Sequence, residues 1–447
     1  MAGSAAAERN SPFALTNANV VTGDPDGTVL SGTTVLVDAA GTIEQVAPST
    51  EVSVPAGFRS IDVTGQYVLP GLINAHAHLF ADGKPLPSIL TNESMENVVS
   101  FAFHSPLGKV LVKRRAKSNI LTQLHSGVTT VRSLGDVAYE VVAVREEIER
   151  GQYIGPRILA SGPLLAVSGG HGTPTIALVN DSPWAARRNV RVNLRRGVDV
   201  IKIAATGGVT DARAIGEAGR PQMTEEEMAA TCDEAHKAGK IVPAHAESEK
   251  GVKDALRAGV DTIEHGSPMD AEMVELFKDN PRSLHGFSAL VPTLMAVLPL
   301  VKLGQNITGV SAIVRENARI ILDRIIGAVH GAAANDIPIG MGTDSALTYV
   351  THYNTWREMD YVVRYGSLTP ARAFYAATRT NARILGLDGV TGSVEPGKAA
   401  DLVVLRANPL DGFRAFTDPK MVIARGVIIE SPMVERFDEL DAHMDSF

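Results

Sequence analysis

One junction recurs through the middle of this chain, and it limits the architecture more than any other feature. It appears as LTQLHSGVTTVRSLG, NLRRGVDVIKIAATGG, DEAHKAGKIVPAHAE and ALRAGVDTIEHGS. Each is the tail of a helical pattern, then a glycine (Gly127, Gly197, Gly239, Gly259), then an apolar strand. Glycine just past a helix end takes the left-handed conformation that caps it, so the strand starts at once. Helix starts are equally legible: Ser182-Pro183 opens one, and Thr224 with Glu227 forms a capping box. Strands alternating with helices imply a parallel sheet. The candidate strands are VLPGLINAHAHL, TTVRSLG, PRILASGP, DVIKIAAT, IVPAHAE, DTIEHG, ALVPTL and PIGMGTDS. That is the complement that closes a (β/α)₈ TIM barrel, an α/β fold. Their uneven spacing argues against a solenoid.

Both ends of the chain have a different texture. FALTNANVVTG, GTTVLVDAAGTIEQVAP and SIDVTGQYVLPG are β-branched runs broken by Gly, Asp and Pro, and KAADLVVLRANP and MVIARGVIIES repeat the pattern near the C-terminus. Neither end can close a core alone. The economical arrangement is a small β-sandwich made from residues 1–69 and 389–447, with a barrel of residues 70–388 between them.

Composition narrows the partners. A hydrophobic content of 45% supports a large core, and a formal net charge of -8 without a dense Lys/Arg block gives no reason to expect nucleic acid. The lone cysteine, Cys232, cannot form an intrachain disulfide, which suits a reducing, cytoplasmic compartment. The stretch MAGSAAAERNSPFALTN lacks the pattern of a signal peptide, and LVPTLMAVLPLV is too short and proline-interrupted to span a bilayer. A small-molecule substrate is expected, with no membrane partner.

The chemistry is written at strand ends. His76 and His78 are one residue apart in a strand and therefore face the same way, which makes half of a metal site. Reading on through the strand ends gives Lys202, His245, His265 and Asp344. Barrel enzymes place their reactive groups at such positions. Lys202, between Ile201 and Ile203, is the most informative of them, because lysine is almost never fully buried without a partner. A buried salt bridge, for instance to Asp344, is the plain reading. The sharper one is a lowered pKa and a neutral amine that captures carbon dioxide, giving a carbamate able to bridge two divalent cations.

The order HAH, strand lysine, PAHAE, EHG, GTDS, with the VLPGLINAHAHL entry and the GSVEPGKAADLVVL return, resembles the amidohydrolase superfamily over nearly the whole chain. Within it the chain looks most like the binuclear branch of imidazolonepropionase-like hydrolases, which includes dipeptidases and ochratoxin-hydrolysing amidases. The resemblance implies that His76, His78 and Asp344 hold one Zn²⁺ and His245 and His265 the other, with carboxylated Lys202 between them. It also implies that Asp344 takes the proton of the attacking water and gives it to the leaving amine. Multimeric relatives imply a homo-oligomer.

Other candidates surround this set. His171, in AVSGGHGTP, lies in a loop where relatives of this branch carry a substrate-contacting histidine, so the resemblance implies a role with the substrate carboxylate or scissile carbonyl. Arg213 and Arg220, in TGGVTDARAIGEAGRPQM, could hold a carboxylate by a bidentate contact. Dipeptidases of this branch carry a tyrosine in this region, and this loop has none, which argues against proline specificity. Glu247 is the proton shuttle in one-metal relatives, but Lys202 favours two metals and leaves Glu247 as a partner orienting a ligand. His125 and His236 sit at helix ends as structural residues, while His352 and Asp136 are secondary candidates for the rim.

The leading expectation is a binuclear zinc hydrolase cutting an amide bond to a carboxylate-bearing amine. Its rivals are a hydrolase of ureas, carbamates or cyclic amides, a one-metal deaminase, and a non-catalytic scaffold.

Overall fold

The computed structural model describes residues 11–85 and 96–447. The start of the N-terminal stretch read above lies outside the described residues.

Strands from both ends of the chain form one mixed sheet. Its order runs Val427–Ile429, Met421–Ala424, Leu402–Leu405, Tyr67–Pro70, Phe13–Val21, Val29–Val37, Ile43–Pro48, with Arg59–Asp62 pairing against Phe13–Val21. The junction between the ends is antiparallel, with Val403 opposite Leu69 and Val404 opposite Val68. Phe13, Leu15, Val35, Val68, Leu402 and Val404 share a buried cluster on this sheet.

The middle of the chain alternates parallel strands with helices. Leu72–Ala77, Val128–Ser133 and Arg157–Ala160 form one parallel arc. Ala177–Val179, Leu164–Ala166, Ile203–Ala204, Pro243–Ala246, Thr262–His265 and Ala289–Val291 form another. Two backbone links join the arcs. Asp199 N–H donates to Ala160 O at 2.8 Å on one side. On the other, residues 339–345 bridge Leu290 to Ala77, with Gly340 N–H to Leu290 O at 2.8 Å and Ala75 N–H to Met341 O at 2.9 Å. Leu72–Ala77 is buried along its whole length, as a parallel strand covered on both faces must be.

The junction glycines behave as their spacing requires. Gly127, Gly197, Gly239 and Gly259 all have positive φ, from 65° to 100°. Ser182 accepts from Ala185 N–H ahead of the helix Pro183–Arg195, and the Thr224–Glu227 capping box closes in both directions ahead of Glu225–His236. Two strand expectations need correction. The third strand is followed by two short extra ones, Leu164–Ala166 and Ala177–Val179, and PIGMGTDS pairs only by isolated bridges. The second irregularity has a cause, because Asp344 and Ala346 both take left-handed backbone. Cys232 is buried, as expected of a small core residue. Among the described residues, no helix is long and apolar enough to cross a membrane.

Candidate active site

Five imidazoles line up in an arc, four of them at or just past strand ends and His171 in the turn after Leu164–Ala166. His76 and His78 leave one strand on the same side, with ring centroids 5.6 Å apart. His265 lies 5.3 Å from His76, His245 lies 4.6 Å from His265, and His171 stacks on His245 at 4.1 Å. Asp344 Oδ1 closes the His76–His78 end, 3.0 Å from His78 Nε2 and 3.3 Å from His76 Nε2. Lys202 lines the same cavity, and its Nζ is buried without a hydrogen-bond partner.

The tautomers of this arc can be argued from fixed partners. The Gly135 carbonyl can only accept, so His78 Nδ1, 3.0 Å away, carries the proton. His76 Nδ1 lies 2.8 Å from Glu264 Oε2 and donates to it in the same way. With Nδ1 donating, the remaining nitrogen of each ring, Nε2, is turned to the side of Asp344 Oδ1. That oxygen is buried and has no hydrogen bond. Two ring nitrogens and a carboxylate oxygen converging on one buried point form a set that a divalent cation would bridge. At the other end, His245 Nε2 donates to the Gly207 carbonyl at 3.2 Å, leaving Nδ1 as the nitrogen with the lone pair.

Donor atoms gather in two overlapping groups within 4.8 Å: His76, His265 and Asp344, and His245, Glu247 and His265. Nitrogen and carboxylate donors of this kind fit a divalent metal.

Residues that the strand pattern did not single out hold this arc in place. Glu264 Oε1 receives Arg132 Nη2 at 2.8 Å and the Thr262 hydroxyl at 2.5 Å, while Oε2 serves His76. Strict alternation would send Glu264 and His265 to opposite faces. His265 breaks it with a φ of 71°, so both side chains reach the interior. His265 Nδ1 in turn lies 2.7 Å from Thr293 Oγ1, and Thr293 is itself left-handed at φ 52°. Glu358 fixes the turn after Thr293 by accepting from Leu294 N–H and Met295 N–H at 2.8 Å each. Strained backbone at successive strand ends is the pattern expected where geometry serves a site. Gly342 is required as well, because a Cβ there would lie 2.5 Å from His76 Cβ.

The electrostatics follow from burial and these contacts. Burial brings the Lys202 amine down to about 8, against the pull of Glu264 and Asp344. Burial lowers His245 and His265 well below the usual histidine range, which favours their neutral rings. For Asp344, burial raises the carboxyl, but His76 and His78 outweigh it and hold it well below the usual range. Burial also opposes ionisation of Glu264, and the Arg132 guanidinium overrides it. For Glu247 burial outweighs the pull of His171 and Arg324 and pushes the carboxyl up to about 8.

All six ligand candidates from the sequence, together with His171 and Glu247, line one cavity of about 140 Å³. His171 Nδ1 hydrogen-bonds the Asp211 carboxylate, and burial, which lowers its pKa, is outweighed by that carboxylate. Asp211 was not foreseen, because it sits in a polar loop with no spacing signal. The loop arginines are elsewhere. Arg213 and Arg220 are exposed, neither lines the cavity, and Arg220 Nη1 lies 3.7 Å from Glu217. His352 and Asp136 are buried outside the cavity lining; His352 donates to Ala81 O and Asp136 accepts from Ser133 and Gly162. His236 pairs with Asp261 at 2.8 Å, and His125 donates to Met433 O, both as structural contacts.

Known proteins resemble this chain in sequence and in fold. The sequence profile of the amidohydrolase family matches residues 67–430. The ochratoxinase of Aspergillus niger is 29% identical over 324 residues, which is 67% of this chain but only 64% of the ochratoxinase. A crystal structure of a candidate prolidase from Bifidobacterium longum superposes with a TM-score of 0.86 at 49% identity, covering 97% of this chain and 98% of that one. A Xaa-Pro dipeptidase with methionine in its active site superposes with a TM-score of 0.80 at 27% identity, covering 94% and 100%. This chain belongs to the amidohydrolase family, in the imidazolonepropionase-like branch that its motifs resemble.

Proposed function

We propose that the protein is a binuclear, zinc-dependent hydrolase of amide bonds to carboxylate-bearing amines, acting on dipeptides or N-acyl amino acids. The observation that carries this reading is the meeting of His76 Nε2, His78 Nε2 and unpaired Asp344 Oδ1 in the cavity that also holds the unpaired Lys202 amine. Family membership, the ochratoxinase relative and the two peptidase-type structures support the reaction class.

In this reading His76, His78 and Asp344 would hold one ion and His245 and His265 the other. Lys202, once carboxylated by carbon dioxide with loss of a proton, would be the anionic group between them. The bound pair would bring the pKa of water towards neutrality and polarise the amide carbonyl. The side chains do the rest. Asp344 accepts the proton of the attacking water and returns it to the amide nitrogen, which leaves only when protonated. His171, held by Asp211, donates to the substrate carboxylate or the carbonyl oxygen. Glu247 orients the ligand imidazoles. The same reading treats residues 70–388 as a closed (β/α)₈ barrel and residues 1–69 with 389–447 as a β-sandwich. It also places the protein in the cytoplasm as a homo-oligomer.

The test is a hydrolysis screen on zinc-loaded protein, with N-acyl amino acids, dipeptides, ochratoxin A and phenylureas. Release of an amino acid from the first groups supports the proposal. Turnover of ureas with none of any acyl amino acid would reject it.

A further inference from the structure

Exposed apolar side chains are unevenly spread over this chain. Among the described residues twelve large ones are exposed, and five of these fall between positions 98 and 111. They are Val98, Phe101, Leu107, Val110 and Leu111; Phe101 is 79% exposed and the others are between 49% and 69%. All five belong to two consecutive helices, Glu96–His104 and Pro106–His125. The first helix is seated by its polar side. Ser100 Oγ donates to Pro174 O at 3.2 Å, and His104 Nε2 lies 3.0 Å from Val137 O. Val98 and Phe101, three residues apart on that helix, are left in water. The second helix buries a stripe through Gly108, Val112, Ala116 and Gln123, and Leu107, Val110 and Leu111 lie off that stripe. The two helices are pinned together, because a Cβ at Gly108 would collide with the carbonyl oxygens of Ala102 and Phe103.

The area decides what could cover this face. Five side chains so exposed leave on the order of 500 Å² of apolar surface in water, the upper part of the range that monomers carry. Two copies meeting there would cover about 1,000 Å² from these side chains alone, the size at which a specific interface begins. A two-fold axis lays the same patch against itself, so apolar groups meet apolar groups without a second matching surface. A lipid surface fits less well, because the formal net charge of -8 opposes approach to anionic headgroups.

We infer that the helices Glu96–His104 and Pro106–His125 form the contact through which two copies of this chain pair, with Phe101 and Leu107 as its anchors. This assigns a surface to the homo-oligomer proposed above and rests on that reading.

Sedimentation velocity of the full chain across a concentration series is the test. The wild type is expected to be a dimer or a larger even assembly. Phe101→Glu and Leu107→Glu should each weaken pairing by about 30-fold or more, as loss of an interface anchor does. The double variant should sediment at half the wild-type mass. Both side chains are exposed, so the circular dichroism spectra of the variants should match the wild type. Trp184→Glu, at an exposed position on the helix Pro183–Arg195, is the control and should keep the wild-type mass. An odd-numbered assembly, or one whose mass the double variant leaves unchanged, would overturn this surface alone, as would dissociation by Trp184→Glu. A monomeric wild type would overturn the surface and the homo-oligomer together, and its co-sedimentation with equimolar phosphatidylcholine and phosphatidylglycerol vesicles would assign the face to lipid instead.

Discussion

Glu264 divides its two oxygens between His76 and Arg132. Oε2 lies 2.8 Å from His76 Nδ1 and Oε1 lies 2.8 Å from Arg132 Nη2, with both side chains of the ion pair fully buried. The His76 imidazole and a buried guanidinium thus depend on one carboxylate, so in the proposed two-metal reading stability and metal affinity are coupled through it.

Glu264→Gln should therefore fail twice. It leaves the Arg132 charge uncompensated in the core, which costs about 3–5 kcal/mol. It also weakens the hydrogen bond that sets the His76 tautomer, lowering zinc affinity by about 10–100-fold. Urea unfolding and a zinc-binding titration read the two effects. A variant as stable as wild type with unchanged affinity would contradict the shared role.

Lys202→Ala should lose activity and at least one zinc per chain, because the proposed bridging group is gone. Metal analysis of the purified variant gives the answer. Unchanged metal content and rate would remove the bridge from the account.

Lys202 also predicts a pH dependence. Its amine ionises at about 8 in the fold, below the ordinary lysine value of about 10.4. The neutral amine needed to capture carbon dioxide accumulates as pH rises through about 8. Uptake of ¹³C-bicarbonate into metal-free protein, followed by NMR, should be slow at pH 6 and faster at pH 9. The stability consequence has the same direction. Between about pH 8 and 10 the unfolded chain holds the extra proton, so metal-free protein should gain stability as pH rises through that window. A Lys202→Met protein should lack both trends.

Asp344→Asn should retain much of the metal, since the imidazoles remain, yet lose turnover by about 10²–10⁴-fold because the proton carrier is gone. Near-wild-type turnover would move the proton transfer to another group, with Glu247 the first to examine.

Much of this architecture can be read from the chain itself. The glycine junctions set the helix-to-strand rhythm, and the motifs beside the strands mark His76, His78, Lys202, His245, His265 and Asp344, which line one cavity although Lys202 precedes its strand Ile203–Ala204 and Asp344 lies in none. The supporting residues are not legible in this way. Glu264 escapes a period-two pattern because His265 turns left-handed, and that strain comes from tertiary contacts with Thr293. Arg132 looks like a strand residue that should face a helix, yet its buried side chain reaches inward to Ala75 O, Thr262 and Glu264. Asp211 lies in a loop whose path only the folded chain defines. The loop arginines show the reverse error, for Arg213 and Arg220 have the right chemistry and the wrong position.

Zinc titration of metal-free protein in bicarbonate buffer, following release of leucine from an N-acyl-leucine, tests the centre of this account most directly. Activity should rise until two equivalents of zinc per chain are bound and then level off. Saturation at one equivalent, or activity that ignores zinc altogether, would contradict a paired-metal amide hydrolase.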